Sequence, residues 1–179
     1  MRRITGKQNT NTMQFWDDYY ASIDVEHDRL IIYEQLTDIL ETIRFNTILE
    51  IGCGTGIGAE YIKSKFECIY TASDFSMIAV NKAAEKADYI KLLDIRKDDP
   101  VGEYDVIIIA ETLEHLEDPF NVIDRCLKHC KYLVLSLPLD EPEDCDPEHI
   151  WCNIRPEDFI EYDVHRIHIN EYYFQIILA

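Results

Sequence analysis

Positive charge is scarce in this chain. Its 179 residues carry 17 Lys and Arg against 35 Asp and Glu, a formal charge of −18 at neutral pH. A surface of that sign repels polyanions, which argues against a general grip on nucleic acid through its phosphates. Long apolar runs are missing too, and none approaches the ~20 residues that a membrane-crossing helix needs. The basic start, Met1 to Lys7, has no apolar segment behind it, so no secretion signal is read and a cytoplasmic setting is expected. Six cysteines stand at 53, 68, 126, 130, 145 and 152. Neither the 126/130 nor the 145/152 spacing is that of a zinc ribbon, and without a leader they read as reduced thiols. Glycine is scarce as well, with six in the chain, and half of them stand at 52, 54 and 56.

Around that glycine cluster the pattern is regular. Hydrophobic residues make up 47% and charged residues 29%, an ordinary soluble composition, and the length suits one domain with a real core. Residues 1–12 hold few apolar side chains and read as a flexible arm, leaving 13–179 as the single domain. Residues 13–22 mix aromatic and acidic side chains and read as a short helix. From 29 to 44 apolar residues recur at Leu36, Ile39, Leu40 and Ile43, the spacing of an amphipathic helix. Strand and helix patterns then alternate: strands at Thr47–Ile51, 67–72, 89–93, Tyr104–Ala110 and 132–136, with helices at Ile57–Lys65, 77–86 and 119–129 between them. The uninterrupted apolar run at 104–110 suits a central parallel strand covered on both faces. An acidic loop with three prolines fills 137–153, a short capped helix follows at 155–160, and 164–169 with 172–178 pair as a terminal hairpin.

A strand, a glycine-rich turn and a helix N-terminus form the nucleotide-binding corner of an open α/β sheet. A dinucleotide fingerprint would need glycine at 57, where this chain has Ile57. The Gly52, Gly54, Gly56 run, with Glu50 two residues ahead, resembles motif I of the class I S-adenosylmethionine-dependent methyltransferases. Residues 104–119, YDVIIIAETLEHLEDP, look like the strand and loop of that family that pass beneath the methionine part of the cofactor. The segment SDFSMI at 73–78 resembles the family's D-x-S-x-x-M segment, shortened by one residue. The likeness covers the chain from about Phe15 onward. It implies an α/β, Rossmann-like fold with a seven-stranded, mostly parallel sheet in the order 3-2-1-4-5-7-6 and the last-added strand antiparallel. Two departures stand out: the usual "kPGG" turn before the fifth strand is replaced by residues 127–132, and the frequent "aGF" turn before the last two strands is missing.

The resemblance implies a cofactor, S-adenosyl-L-methionine, with S-adenosyl-L-homocysteine as product, and assigns residues to it. Gly52, Cys53, Gly54 and Gly56 let the backbone approach it, while Glu50 organises the turn and faces its ammonium group. Asp74 stands where it can accept both ribose hydroxyls, with Phe75 packing against adenine. Asp94 and the backbone of Ile95 would read the adenine edge, and Ala110 and Glu111 would lie under the methionine part. For the chemistry, His149 is the candidate general base, because its segment resembles one that lies over the active site in small-molecule methyltransferases. His115 and Glu114 complete the catalytic candidates; a structural role for His115 and a plain surface position for His149 are the competing accounts.

The leading expectation is a methyltransferase acting on a small-molecule acceptor, a sugar or other metabolite, with no metal, no nucleic acid and no membrane involved. One alternative is a magnesium-dependent RNA 3′-end 2′-O-methyltransferase, whose ligand set resembles Glu111, Glu114, His115 and a later histidine; oxygen ligands suit magnesium. Others are a cofactor-binding subunit without catalysis and a nicotinamide-dependent enzyme, the last disfavoured by Ile57. The aromatic residues Phe15, Trp16, Tyr19 and Tyr20 form either a lid over the site or part of the core. Acceptor identity and oligomeric state are not readable from the residues.

Overall fold

A computed structural model describes residues 1–24, 29–144 and 146–179. Cys145, half of the 145/152 spacing, lies outside the described residues. A two-residue strand, β1 (Arg2–Arg3), precedes helices α1 (Met13–Ser22) and α2 (Leu30–Leu40). The alternation that follows comprises β2 (Thr47–Ile51), α3 (Ile57–Lys65), β3 (Ile69–Asp74), α4 (Met77–Ala83), β4 (Tyr89–Leu92), β5 (Tyr104–Ala110), α5 (Pro119–Cys126) and β6 (Cys130–Pro138). The last part holds β7 (Trp151–Cys152), β8 (Val164–Ile169) and β9 (Tyr173–Leu178). Among the described residues, seven strands form one sheet in the order β4-β3-β2-β5-β6-β9-β8. β9 runs antiparallel to both its neighbours, and the pairs from β4 to β6 are parallel. This is the Rossmann-like order that the resemblance implies. Among the described residues no helix is long and apolar enough to cross a membrane.

Alternation along the central strands explains the two-sided core. Successive side chains point to opposite faces of a sheet. In β2 and β5, Leu49, Ile51, Ile107 and Ile109 join one buried cluster with Val122, Ile123 and Cys126 of α5. Ile48, Val106 and Ile108 face the other way and pack with Leu36, Ile39 and Leu40 of α2. Each of these Ile and Leu side chains contributes roughly 1.5–3 kcal/mol by leaving water. Pro119 begins α5 where its missing N–H costs nothing, and the Asp118 side chain caps the helix by accepting from Asn121 N at 3.2 Å.

Boundaries differ from the sequence expectation where tertiary pairing decides them. The second strand of the large sheet, β3, runs 69–74, not 67–72, because its ladder with β2 pairs Thr47 with Ile69 and Ile51 with Ser73. That shift puts Asp74 at the strand's end. β6 outlasts its expected range because β5 and β9 pair with it on both sides.

Residues 1–12 are docked, where the sequence suggested a flexible arm. β1 pairs antiparallel with β7, and Ile4 N donates to Ile150 O at 2.9 Å. The Met1 ammonium meets Asp158, and Asn11 Nδ2 donates to Glu148 O at 2.8 Å. These contacts are made by backbone, amide and charged groups, so an apolar count does not register them.

Candidate active site

Ligands of open α/β sheets bind outside the carboxyl ends of the strands. Here the ends of β2, β3, β4 and β5 open into a cleft of about 730 Å³, part of it open to solvent. Its walls include Gly52, Asp74, Phe75, Asp94 and Glu111. Its position is that of a small-molecule site.

The turn after β2 is held from below. Gly52 N and Cys53 N both donate to Ser73 O at 2.9 Å, and Gly54 N donates to Asp74 Oδ2 at 3.1 Å. Asp74 is 2% exposed, and its other oxygen accepts from Ser76 N at 2.8 Å. One carboxylate thus ties the glycine turn to the start of α4 and still borders the cleft. Gly52 has φ 78°, and a Cβ there would sit 2.3 Å from Thr112 Oγ1, so glycine is required by close approach to the β5 loop.

At the far end of the cleft, β5 leads into a 3₁₀ turn, Leu113–His115. Glu111 takes φ 48°, an uncommon conformation for a residue with a side chain, and Ser136 Oγ donates to its Oε1 at 3.1 Å. Glu114 is fully buried and His115 is 7% exposed. The 146–152 segment lays His149 over them: the His115 and His149 rings are 4.7 Å apart, and His149 Nε2 lies 3.7 Å from Glu114 Oε1. His149 Nδ1 makes a short hydrogen bond to Glu141, and His115 Nδ1 is 3.3 Å from Glu148 O.

Residues 25–172 match the family model described as a methyltransferase domain. The chain belongs to that family. It is 34% identical over 119 residues to malonyl-acyl-carrier-protein O-methyltransferase of Bacillus anthracis, covering 63% of this chain and 43% of that one. It spans 35% to 44% of the lengths of three other curated relatives it matches. Among solved structures it resembles a SAM-dependent methyltransferase from Aquifex aeolicus with TM-score 0.68 and 19% identity, over 90% of this chain and 97% of that one. It also resembles N-methyltransferase NodS from Bradyrhizobium japonicum WM9, solved with S-adenosyl-L-homocysteine, with TM-score 0.70 and 21% identity over 94% and 97% of the two chains.

Within this methyltransferase domain, the structure brings Gly52, Cys53, Asp74, Phe75, Asp94, Ile95, Ala110, Glu111 and His115 to the cleft. Glu50 does not reach it. Its carboxylate lies behind Tyr33, whose hydroxyl donates to Glu50 Oε1 at 2.7 Å, and Tyr33 faces the cleft instead. Gly54 and Gly56 support the turn without lining the cleft, and Glu114 and His149 stand behind His115. Asp94 arrives already engaged: Arg96 Nε and Nη2 donate to its two oxygens at 2.7 and 2.8 Å, and Lys97 Nζ is 2.9 Å away. The Arg96 guanidinium also lies over Phe75, 4.4 Å from the ring centroid. Trp16 and Tyr20 border the cleft, so α1 closes one side of it, and the Trp16 ring meets His115 at 5.3 Å. Asn11, Tyr33 and Thr112 also border it; Asn11 and Tyr33 come from segments without a motif, and Thr112 lies inside the 104–119 motif without having been singled out there.

Charges at the site follow from burial and neighbours. Hydrogen bonding from Arg96 holds the Asp94 carboxyl well below the usual carboxylate range, with Lys97 adding to the effect against partial burial. Burial, then the charge of Glu114, pushes Glu111 up to about 8. Burial likewise raises Glu114. Burial, then His149, lowers His115 to about 3, so it is neutral at pH 7. Burial pulls His149 down as well, but the hydrogen bond that His149 Nδ1 donates to Glu141 and the charges of Glu114, Glu141 and Asp146 outweigh it and hold His149 at about 9. In this state His149 is a cation among carboxylates, and its proton has to leave before the ring can act as a base.

Proposed function

We propose that the chain is an S-adenosyl-L-methionine-dependent methyltransferase acting on a small-molecule acceptor, a sugar or other metabolite. The observation that carries this reading is the placing of Asp74, Phe75, Asp94 and Glu111 around one cleft at the carboxyl ends of four parallel strands. Asp74 would accept the ribose hydroxyls with the lone pairs left after its two backbone contacts. Phe75 would pack against adenine, and Asp94 with the backbone of Ile95 would read its edge. Ala110 and Glu111 would underlie the methionine part, and Glu50 would act on it through Tyr33. The bound cofactor supplies an electrophilic methyl group, transferred in line to the acceptor while the C–S electron pair returns to sulfur. The chain's own contribution is alignment and exclusion of water. His115 borders the end of the cleft where the acceptor would enter, with Glu114 and His149 behind it, and the charge of −18 supports a small acceptor over a polynucleotide.

Calorimetry with S-adenosyl-L-homocysteine, followed by a release assay over a metabolite panel, tests this reading. Binding is expected, and Asp74→Asn should weaken it by about 1.5–3 kcal/mol, the scale of hydrogen bonds to a charged group. No heat with either form of the cofactor refutes the proposal.

A further inference from the structure

We propose that Arg96 is a specificity-determining residue of the cleft: its guanidinium occupies the adenine seat, and an adenine nucleoside binds by displacing it. The inference rests on the reading above, in which Phe75 and Asp94 hold the base. Arg96 lines the cleft together with both of them and with Asn11. Its guanidinium carbon stands 4.4 Å from the Phe75 ring centroid. So close a contact leaves no room for a base between the guanidinium and that face of the ring. From the same group, Nε donates to Asp94 Oδ1 at 2.7 Å and Nη2 to Oδ2 at 2.8 Å.

Adenine asks for the same two things, an aromatic face for its ring and an acceptor for its amino group. A guanidinium is flat, stacks on aromatic rings and carries its N–H donors in its own plane, so it satisfies both. The acceptor side is also full. A carboxylate offers about four lone-pair sites. At Asp94 the Arg96 backbone N–H at 3.3 Å and Nε share Oδ1, while Nη2 and Lys97 Nζ at 2.9 Å share Oδ2. An adenine amino group gains its bond only when one of these donors leaves.

An ion pair between exposed side chains is ordinarily weak. This one is forked, and the Asp94 side chain is only 11% exposed. A third anchor comes from the N-terminal arm, where Asn11 O accepts from Arg96 Nη1 at 2.8 Å. Asn11 in turn accepts from Trp16 Nε1 at 3.1 Å and donates to Glu148 O at 2.8 Å. Displacing the guanidinium therefore removes one tie between the arm and the base-binding end of the cleft.

Calorimetry on the full chain compares the wild type with Arg96→Ala, Arg96→Lys and Lys97→Ala, using S-adenosyl-L-homocysteine, adenosine and homocysteine as probes. A group that holds the seat most of the time lowers apparent affinity by the fraction of time the seat is open. Arg96→Ala should accordingly tighten S-adenosyl-L-homocysteine and adenosine alike, roughly 3- to 10-fold. Homocysteine, which carries no base, should be unaffected. Arg96→Lys keeps the charge and loses the flat fork, so it should tighten both nucleosides too. Lys97→Ala, which leaves Phe75 covered, should change less. Circular dichroism accompanies each variant; should Arg96→Ala unfold, Arg96→Lys decides. In nitrogen NMR the Arg96 Nε–H signal, identified by its loss in Arg96→Lys, should move with adenosine and stay with homocysteine. Nucleoside binding that is equal or weaker in a folded Arg96 variant overturns the proposal, as does a gain for Lys97→Ala as large as that for Arg96→Ala. Absence of S-adenosyl-L-homocysteine binding in the wild type and every variant refutes the cofactor reading itself; a wild type that binds it and gains nothing from Arg96→Ala refutes the role of Arg96 alone.

Discussion

Gly56→Ala gives the sharpest test of how the glycine turn is built. Gly56 has φ 79°, and a Cβ added there would lie 2.8 Å from both Cα and Cβ of Ala83. The first contact is with backbone, which a rotamer change cannot relieve. The left-handed conformation costs about 1–2 kcal/mol for a residue with a Cβ. Overpacking against α4 adds about 1–3 kcal/mol. The sum is about 2–5 kcal/mol, or roughly 4–20 °C in Tm for a domain of this size. Gly6→Ala is the control, because Gly6 has φ 74° and nothing within 4 Å of the added Cβ. It should lose only the conformational part, about 1–2 kcal/mol. Urea denaturation of both variants and the wild type measures the difference. Equal losses in the two variants would refute the claim that α4 packs against the turn closely enough to demand glycine.

Two further perturbations bear on the cleft. Arg96→Met should raise the Asp94 titration, read by carboxyl carbon NMR: a carboxylate with a lowered folded pKa stabilises fully above its unfolded value and loses that stability as pH falls through the folded one, so the variant should be less stable than the wild type above about pH 4, with the difference shrinking as pH falls below it. An unmoved Asp94 titration refutes the pairing. Deleting residues 1–24 should weaken S-adenosyl-L-homocysteine binding, because Asn11, Trp16 and Tyr20 leave the cleft wall; unchanged affinity in the folded deletion shows that α1 is no lid.

The sheet was legible because each strand announces itself locally. Ile107, Ile108 and Ile109 need only a run of apolar residues to be read as a central strand, and three glycines within five residues need only their spacing. The partners that finish the site are set by tertiary contact. Nothing near Tyr33 signals that its hydroxyl meets Glu50. No local pattern announces that Asn11 spans the chain to Glu148 O. Asp94 is a different case, since Arg96 and Lys97 follow it directly and their charges could have been weighed from the sequence alone. The clustering of His149 with Glu114 depends on a loop whose path is fixed by Ile150 N donating to Glu114 O at 3.0 Å and by its pairing with the N-terminal arm.

The acidity of the chain takes on a local meaning at that cluster. Glu111, Glu114, Glu141 and Asp146 surround His149 or stand beside it, and Glu114 is fully buried. Such a group of carboxylates is held only where protons or cations offset its charge. Burial keeps Glu111, at about 8, protonated at pH 7 and raises Glu114 as well, while His149 keeps its proton against Glu141 and Asp146. The excess of acid in the sequence is therefore offset here within the chain itself.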